Sequence, residues 1–560
     1  MPVFFWRLIP LLLLFVLLEW SCANRVPPTG GAKDVIAPHV LKSNPPDKSL
    51  SFVQKQIRFS FDELIDLQNA GQILISPLLK EPPEFSMRGK SLVVNFKEPL
   101  DSNTTYTINF GESLRDFNEG NILKGFEYSF STGSVRDSLS VRGNLQQARD
   151  NAPAKEVLIA LYAGNPNDTL FLTQAPKYLA RTAADGNFNI NNVSAGTYRL
   201  YALLDQNGNY YYDQPNESIA FADEPIQVSA DDSLSLSTPQ DSLRAQKAQN
   251  RLRLFSEGKE KSQLIEADLR DYGLIRLIFS KPVAGLQLYP LDSTLLSESK
   301  ENYLIEPNAN ADTVQIWYRD VENNTDLNFA LSDTSGLKDT VRLSHNFPPE
   351  KALPPECKTI SSIKVGRDKS FLDQNQTLWV GFSMPVEQID KDKIKLFADT
   401  LPLNIKTKLV KGTLQRQYIA IDYRFAPNVK YQLLVPDSTA ISYFGEPNEE
   451  LELNFEMRSE ETYGTLQFHF LGFDATHSYI FQLLDASGKK ILREQKLEKA
   501  RLELKLLNPG QYQVFVIEDS NNNMRWDTGD YKQHRQPEKV YNTKTPVQIK
   551  SNWDTELEMK

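Results

Sequence analysis

The chain has 560 residues, 62 Lys and Arg against 72 Asp and Glu, and a formal net charge of −10 at pH 7. Without a basic stripe, that balance argues against nucleic acid as a partner. Cys22 and Cys357 are its only cysteines, so a disulfide scaffold is excluded and the fold must rest on buried apolar area shared among several domains.

The N-terminus reads as an export signal. One Arg in MPVFFWR precedes the apolar run LIPLLLLFVLL, too short for a membrane span, and Trp20-Ser21-Cys22 follows. Residues 1–21 are expected as a signal peptide, with an N-terminal anchor helix as the other reading. The W-S-C ending with Ala23 resembles a bacterial lipobox, although Glu19 and Trp20 depart from its strict pattern. That resemblance implies cleavage before Cys22 and lipidation of its thiol, which would hold the chain on a membrane. Residues 22–36, with Pro27, Pro28 and Gly30-Gly31, read as a tether. Ala23-Asn24-Arg25-Val26 carries no acidic run, so periplasmic and surface display of an outer-membrane lipoprotein both stay open.

From residue 37 onward, strand-like alternation dominates. IRFSFDE places Ile57, Phe59 and Phe61 on one face, LVVNF does so with Leu92, Val94 and Phe96, and YTINF with Tyr106, Ile108 and Phe110. Period-two runs between Pro, Asn, Asp and Gly clusters predict an all-β protein of small sandwiches. The first motif recurs as IRLIFSKPV at Ile275–Val283 and LWVGFSMPV at Leu378–Val386. An Asn stands three residues before a strand Tyr in the first and third copies, as Asn103/Tyr106 and Asn428/Tyr431. The copies are placed at residues 37–134, 262–350 (diverged) and 356–459.

These motifs, with the closing FSTG of the first copy, resemble the bacterial Ig-like domain of S-layer and surface proteins; FDELI in the first copy lacks the usual Pro. The order of Cys22, VPPTGG, KD, Pro and this domain resembles a Bacteroidetes Ig-like lipoprotein family. The resemblance implies β-sandwiches and an envelope location, and carries no catalytic residues.

A second repeat aligns GNFNINNVSAGTYRLYALLDQNGNYYYD on ARLELKLLNPGQYQVFVIEDSNNNMRWD without a gap. A hairpin at Ala195-Gly196 and at Pro509-Gly510 is expected, followed by core strands containing Tyr198, Leu200, Ala202 and Leu204, and Tyr512, Val514 and Val516. The G-x-Y pattern resembles the transthyretin-like, carboxypeptidase-regulatory-like sandwich, placed at residues 135–230 and 460–560. Between the first such unit and the middle Ig-like copy, residues 231–261 are rich in Ser, Gln, Lys and Asp. They read as a polar linker, with either a short helix or solvated coil in DSLRAQKAQNRLRLF.

Chemistry is sparse. The five His are scattered, and the chain carries no H-E-x-x-H, no Cys pair and no G-x-S-x-G, so the reading is a non-enzyme. Two D-x-N-x-N-x-x-x-D loops are the candidate sites. The first offers Asp205, Asn207, Asn209 and Asp213, and the second Asp519, Asn521, Asn523 and Asp527 with Asp530 at position twelve. Oxygens at alternate positions suit Ca²⁺, yet Tyr210 and Met524 replace the Gly at position six and no bidentate Glu follows. The same residues make Asx-turns, so a structural turn is the competing reading. Trp526 and Tyr210–Tyr212 raise a further choice, between a glycan platform and rim packing. D-S/T-apolar triplets at Asp137, Asp168, Asp232, Asp241, Asp312, Asp339 and Asp399 resemble a Bacteroidetes O-glycosylation pattern. The functional expectation is a non-catalytic envelope lipoprotein serving as spacer or as binding arm for protein or glycan. Its rivals are an accessory of an outer-membrane assembly or polysaccharide-processing system, and a cryptic hydrolase.

Overall fold

The computed structural model describes residues 34–164, 170–229, 250–258, 261–291, 303–308, 310–367, 369–411 and 416–560. The signal peptide, Cys22, most of the tether, most of the 231–261 stretch, and Asp168, Asp232 and Asp241 lie outside these residues. Among those described, the chain is all-β, with a single short α-helix at Leu170–Thr173, and no helix is long and apolar enough to cross a membrane. It divides into two compact units. One takes the described parts of Met1–Leu145, Ala154–Tyr212 and Ala220–Leu252, and the other Gln146–Pro153, Asp213–Ile219 and Arg253–Lys560.

The three Ig-like stretches share one topology. In the first, an antiparallel sheet runs in the order Val40–Asn44, Gln56–Phe61, Ser91–Asn95, Glu84–Arg88. The middle stretch repeats this with Leu264–Asp271, Leu274–Phe279, Thr313–Tyr318 and Tyr303–Pro307, and the third with Thr359–Ser361, Leu378–Phe382, Gln417–Asp422 and Lys406–Lys411. A second antiparallel layer also recurs, as Leu74–Ser76, Thr105–Asn109 and Glu127–Ser131 in the first copy. Its counterparts are Gln287–Pro290, Thr325–Ser332 and Lys338–His345, and then Lys395–Ala398, Lys430–Val435 and Leu451–Met457. The alternating positions do fill the cores: Ile57, Phe59 and Phe61, Ile275, Leu277 and Phe279, and Leu378, Val380 and Phe382 are all buried. Edge-to-face rings lock the first core, Phe59 lying 5.5 Å from Phe110 and 5.0 Å from Tyr128.

The N-x-x-Y motif acquires a physical reason. Asn103 and Asn428 adopt φ of 50° and 60°, a region Asn tolerates better than most residues. The turn they make lets the buried Tyr106 and Tyr431 hydroxyls accept the backbone N–H of Asp101 at 3.0 Å and of Ala426 at 2.9 Å.

The second repeat type also keeps one topology, but not the expected hairpin. Asn187–Val193 joins a sheet with Leu139–Gln147 and Asn250–Leu254, whereas Gly196–Leu204 lies in another, between Leu158–Ala163 and Ser218–Phe221. At the C-terminus, Arg501–Leu507 pairs with Gly464–Phe470, and Gly510–Glu518 with Tyr479–Asp485 and Val540–Asn542. The chain therefore crosses from sheet to sheet at Ala195-Gly196 and Pro509-Gly510. The Tyr two residues on packs back over the crossing Gly, and a Cβ at Gly196 would lie in ordinary contact with the Tyr198 ring at 3.5 Å. The Tyr198 hydroxyl then reaches back to the Ser194 carbonyl at 3.0 Å, and Tyr512 to Asn508 at 2.6 Å, the geometry of a tyrosine corner.

Two further expectations need correction. Asn250–Leu254 is a strand, with Leu252 and Leu254 buried, so the end of the stretch read as linker or helix completes a sheet. Alternation also understated burial: Phe515 and Ile517 are buried opposite Val514 and Val516, and form a second cluster with Ile480, Leu484 and Val540. Leu204 at the end of its strand is only half-buried.

Within the second unit, the middle and third Ig-like stretches share a core, since Leu274 and Trp317 belong to the cluster of Val380, Phe382 and Tyr443. Arg416 sits at this joint with Nε 2.5 Å from Glu306 Oε1 and Nη2 2.5 Å from Oε2, while Trp317 Nε1 donates to Oε2 at 2.9 Å. Arg319 adds a bond of 2.7 Å to Glu387 and lies 4.6 Å over the Tyr443 ring. The next joint gathers on buried Asp373, which accepts from Tyr463 Oη at 2.7 Å and pairs with Lys364 and Arg458. Burial alone would raise the Asp373 pKa, but the Lys364, Tyr463 and Arg458 contacts outweigh it and hold the carboxyl below its ordinary value.

Candidate functional site

Both candidate loops leave the end of the strand that begins at the crossing Gly, which fixes their common register. Their backbones match position by position. The fourth residue takes positive φ in each, Gly208 at 73° and Asn522 at 59°, and so does the sixth, Tyr210 at 68° and Met524 at 60°. Such a φ costs a side-chain-bearing residue about 1–2 kcal/mol, so it must be held in place. The opening Asp holds it: Tyr210 N donates to Asp205 Oδ2 at 2.9 Å, and Met524 N to Asp519 Oδ2 at 3.0 Å.

The remaining oxygens follow the same logic. Asp205 Oδ1 accepts from Gly208 N at 2.7 Å, and Asp519 Oδ1 from Asn523 N at 3.1 Å. Asn207 and Asn209 accept from the N–H two residues on, at 3.1 and 2.8 Å, as do Asn521 and Asn523 at 3.1 and 2.8 Å. In the second loop, the Asn521 and Asn523 amide nitrogens donate to Asp527 Oδ2 at 2.5 and 2.8 Å. Asp530 turns elsewhere, its carboxylate accepting from Gln533 N at 3.0 Å while its backbone pairs with Arg535.

A calcium ion needs six to eight converging oxygens. Here the Asp519 oxygens face N–H groups, Asp527 faces amide nitrogens, and Asp530 caps its own turn. Among the described residues, no group of three or more His, Cys, Asp or Glu is placed to hold a metal. In the second loop the donors are engaged by the loop's own N–H groups and amides, which is the arrangement of a structural turn.

Two carboxylates escaped the sequence reading. Buried Glu217 accepts from Asp213 N and Gln214 N, each at 3.0 Å. Buried Glu538 accepts from Ser520 N at 2.8 Å and Asp527 N at 3.0 Å, tying both ends of the second loop. Glu217 lies four residues past Asp213, a spacing a local search could find, but Glu538 reaches its loop only through the fold. Trp526 packs on the Phe515 cluster with Nε1 3.1 Å from the Glu538 carbonyl, which makes it a packing residue.

Residues 34–132 match the family model described as bacterial Ig-like domain, and residues 154–232 match that described as polysaccharide lyase family 4, domain II. No curated protein matches the chain. Among solved structures, it is similar to the S-layer protein rSbsC at 9% identity, covering 87% of this chain and 66% of that one, with a TM-score of 0.13. It is similar also to BcpA, the major pilin subunit of Bacillus cereus, at 9% identity over 75% of this chain and 99% of that chain, with a TM-score of 0.14. A further likeness is to SGBP-B of the Bacteroides ovatus mixed-linkage glucan utilization locus, in complex with a mixed-linkage heptasaccharide. There the identity is 10%, the coverage 74% of this chain and 94% of that chain, and the TM-score 0.16. The chain spans just under two thirds of the S-layer protein's length. A bacterial Ig-like domain at residues 34–132 thus opens an array of tandem β-sandwiches.

Proposed function

We propose that this chain is a non-catalytic envelope lipoprotein, anchored through Cys22, whose sandwiches form a stiff spacer or binding arm for an envelope protein or glycan. The observation that carries this reading is the Arg416–Glu306–Trp317 joint. A bidentate pair with its lone pairs satisfied fixes orientation more than it adds stability, which is what an arm needs and a flexible string of domains does not. The residue 135–230 and 460–560 sandwiches are assigned to the transthyretin-like type on their shared G-x-Y crossing, and their paired loops are assigned as turns. The missing H-E-x-x-H and G-x-S-x-G patterns agree with this reading.

The test is fractionation of the cells that make the protein, comparing the unmutated chain with Cys22→Ala, followed by protease shaving and crosslinking. The reading expects membrane association that Cys22→Ala abolishes, and a crosslinked envelope partner. Equal fractionation of the two chains would remove it. A second reading, an accessory of a polysaccharide-processing system, is favoured by the match of residues 154–232 to polysaccharide lyase family 4, domain II. A polysaccharide-processing enzyme as the crosslinked partner would select it.

A further inference from the structure

The C-terminal sandwich carries a groove of about 610 Å3 that no sequence motif marks. Small-molecule sites occupy roughly 300–1,000 Å3, so the groove is large enough for a sugar or two. At its rim stands Trp553, 64% exposed. The backbone beneath it is fixed rather than loose: the Trp553 carbonyl accepts from Thr465 N at 3.0 Å, and Asn552 N donates to the Tyr463 carbonyl at 2.7 Å.

Three departures from regular sheet geometry meet there. Asn552 takes a φ of 51° just before Trp553. On the facing wall, Gly464 pairs with Leu507 but Leu466 pairs with Leu504, so the strand carries one extra residue and Leu506 is forced to a φ of 57°. Gly464 closes the corner, where a Cβ would come within 2.3 Å of the Lys550 carbonyl. The earlier copy has the same bulge, Leu139 pairing with Val193 but Val141 with Ile190, and the same positive φ at Asn192, so the kink belongs to the repeated fold and this copy differs in placing Leu506 there.

We propose that this groove binds a neutral saccharide chain, with Trp553 as its stacking platform. The exposed indole face suits the C–H face of a pyranose whose hydroxyls are equatorial. Glu460, Glu461, Asp554 and the Asn552 amide supply acceptors for sugar hydroxyls, and Lys505, held 3.2 Å from Glu503, supplies a donor. Three carboxylates against one ammonium repel uronate or sulfated chains, which sets the class as neutral.

This deepens the arm reading by naming what the arm holds, and the two fail separately. Membrane release is read by fractionation, and saccharide capture by binding to the purified full chain. The experiment titrates that chain with cellohexaose, followed by calorimetry and tryptophan fluorescence, with a hexamer of galacturonic acid in parallel. The expected result is saturable cellohexaose binding, weaker galacturonate binding, and an affinity lowered about tenfold or more by Trp553→Ala at unchanged melting temperature. Trp553→Tyr should fall between the two. No saturable cellohexaose binding, an affinity unmoved by Trp553→Ala, or galacturonate binding as tight as cellohexaose would each overturn the proposal.

Discussion

The hydroxyl of Tyr512 donates to the Asn508 carbonyl 2.6 Å away, across the point where the chain passes from one sheet of the C-terminal sandwich to the other. Tyr198 makes the same bond to Ser194 in the earlier copy. The hydroxyl thus pins the crossing. Removing it leaves a part-buried carbonyl short of a donor, which costs about 1–2 kcal/mol. Tyr512→Phe is expected to lower the stability of the C-terminal sandwich by that amount in denaturant unfolding; an unchanged midpoint would show the bond to be incidental.

Asp519 holds Met524 in its strained conformation through one oxygen and Asn523 through the other. Asp519→Ala is expected to destabilise the loop by about 1–2 kcal/mol, as two part-buried N–H groups lose their acceptor. Calcium should add neither heat in calorimetry nor a rise in melting temperature to the unmutated full chain. A saturable calcium heat that Asp519→Ala abolishes would restore the cation reading.

Glu306 and Arg416 offer a test of how the joint works. Glu306→Ala leaves the guanidinium part-buried without its partner and is expected to cost about 3–5 kcal/mol. Replacing both, as Glu306→Leu with Arg416→Met, should recover most of that loss, because apolar substitutes escape the desolvation penalty. Chemical denaturation of the four chains measures both quantities. A double variant no more stable than Glu306→Ala would contradict this account of the pair.

His345 is fully buried among Tyr272, Tyr318 and Phe347, with Nδ1 3.0 Å from the Glu322 carbonyl and Nε2 without a hydrogen-bond partner among the described residues. Burial lowers its pKa, and the Glu322 contact only partly opposes this. The unfolded chain therefore takes up the proton first. The contribution to stability is complete above the ordinary His value near 6.5 and is lost as pH falls below it. Melting temperature should drop between about pH 6.5 and 5, and His345→Gln should flatten that slope. An equal slope in the variant would exonerate the residue.

Much of the fold could be read from period-two burial, because Phe59, Leu277 and Val380 occupy strands whose two faces differ. The diverged middle copy kept its apolar face, and with it the sheet order. What stayed hidden depends on distance in sequence. Glu306 and Arg416 are 110 residues apart, and nothing local marks either as a partner. Gly196 and Gly510 carry the residues of a hairpin; only sheet membership, decided by the whole sandwich, makes them crossings. Asn250–Leu254 was obscured by the polar stretch before it, where the C-terminal copy has only Lys550–Trp553 between the equivalent strands. The candidate loops were legible as repeats and as either turns or cation sites, and the choice stayed open because Asp and Asn serve a cation and a backbone N–H with the same oxygens.

A stiff joint between the middle and third Ig-like stretches is the claim on which the arm depends. It is tested most directly by a spin-label distance between Lys338→Cys and Lys408→Cys, two exposed positions on either side of the joint, in a chain carrying Cys22→Ala. Cys357 will not compete for label, since it is buried and burial pushes its thiol up to about 11. The account predicts one narrow distance distribution that broadens in Glu306→Ala. A broad distribution in the chain with Glu306 and Arg416 intact would contradict it.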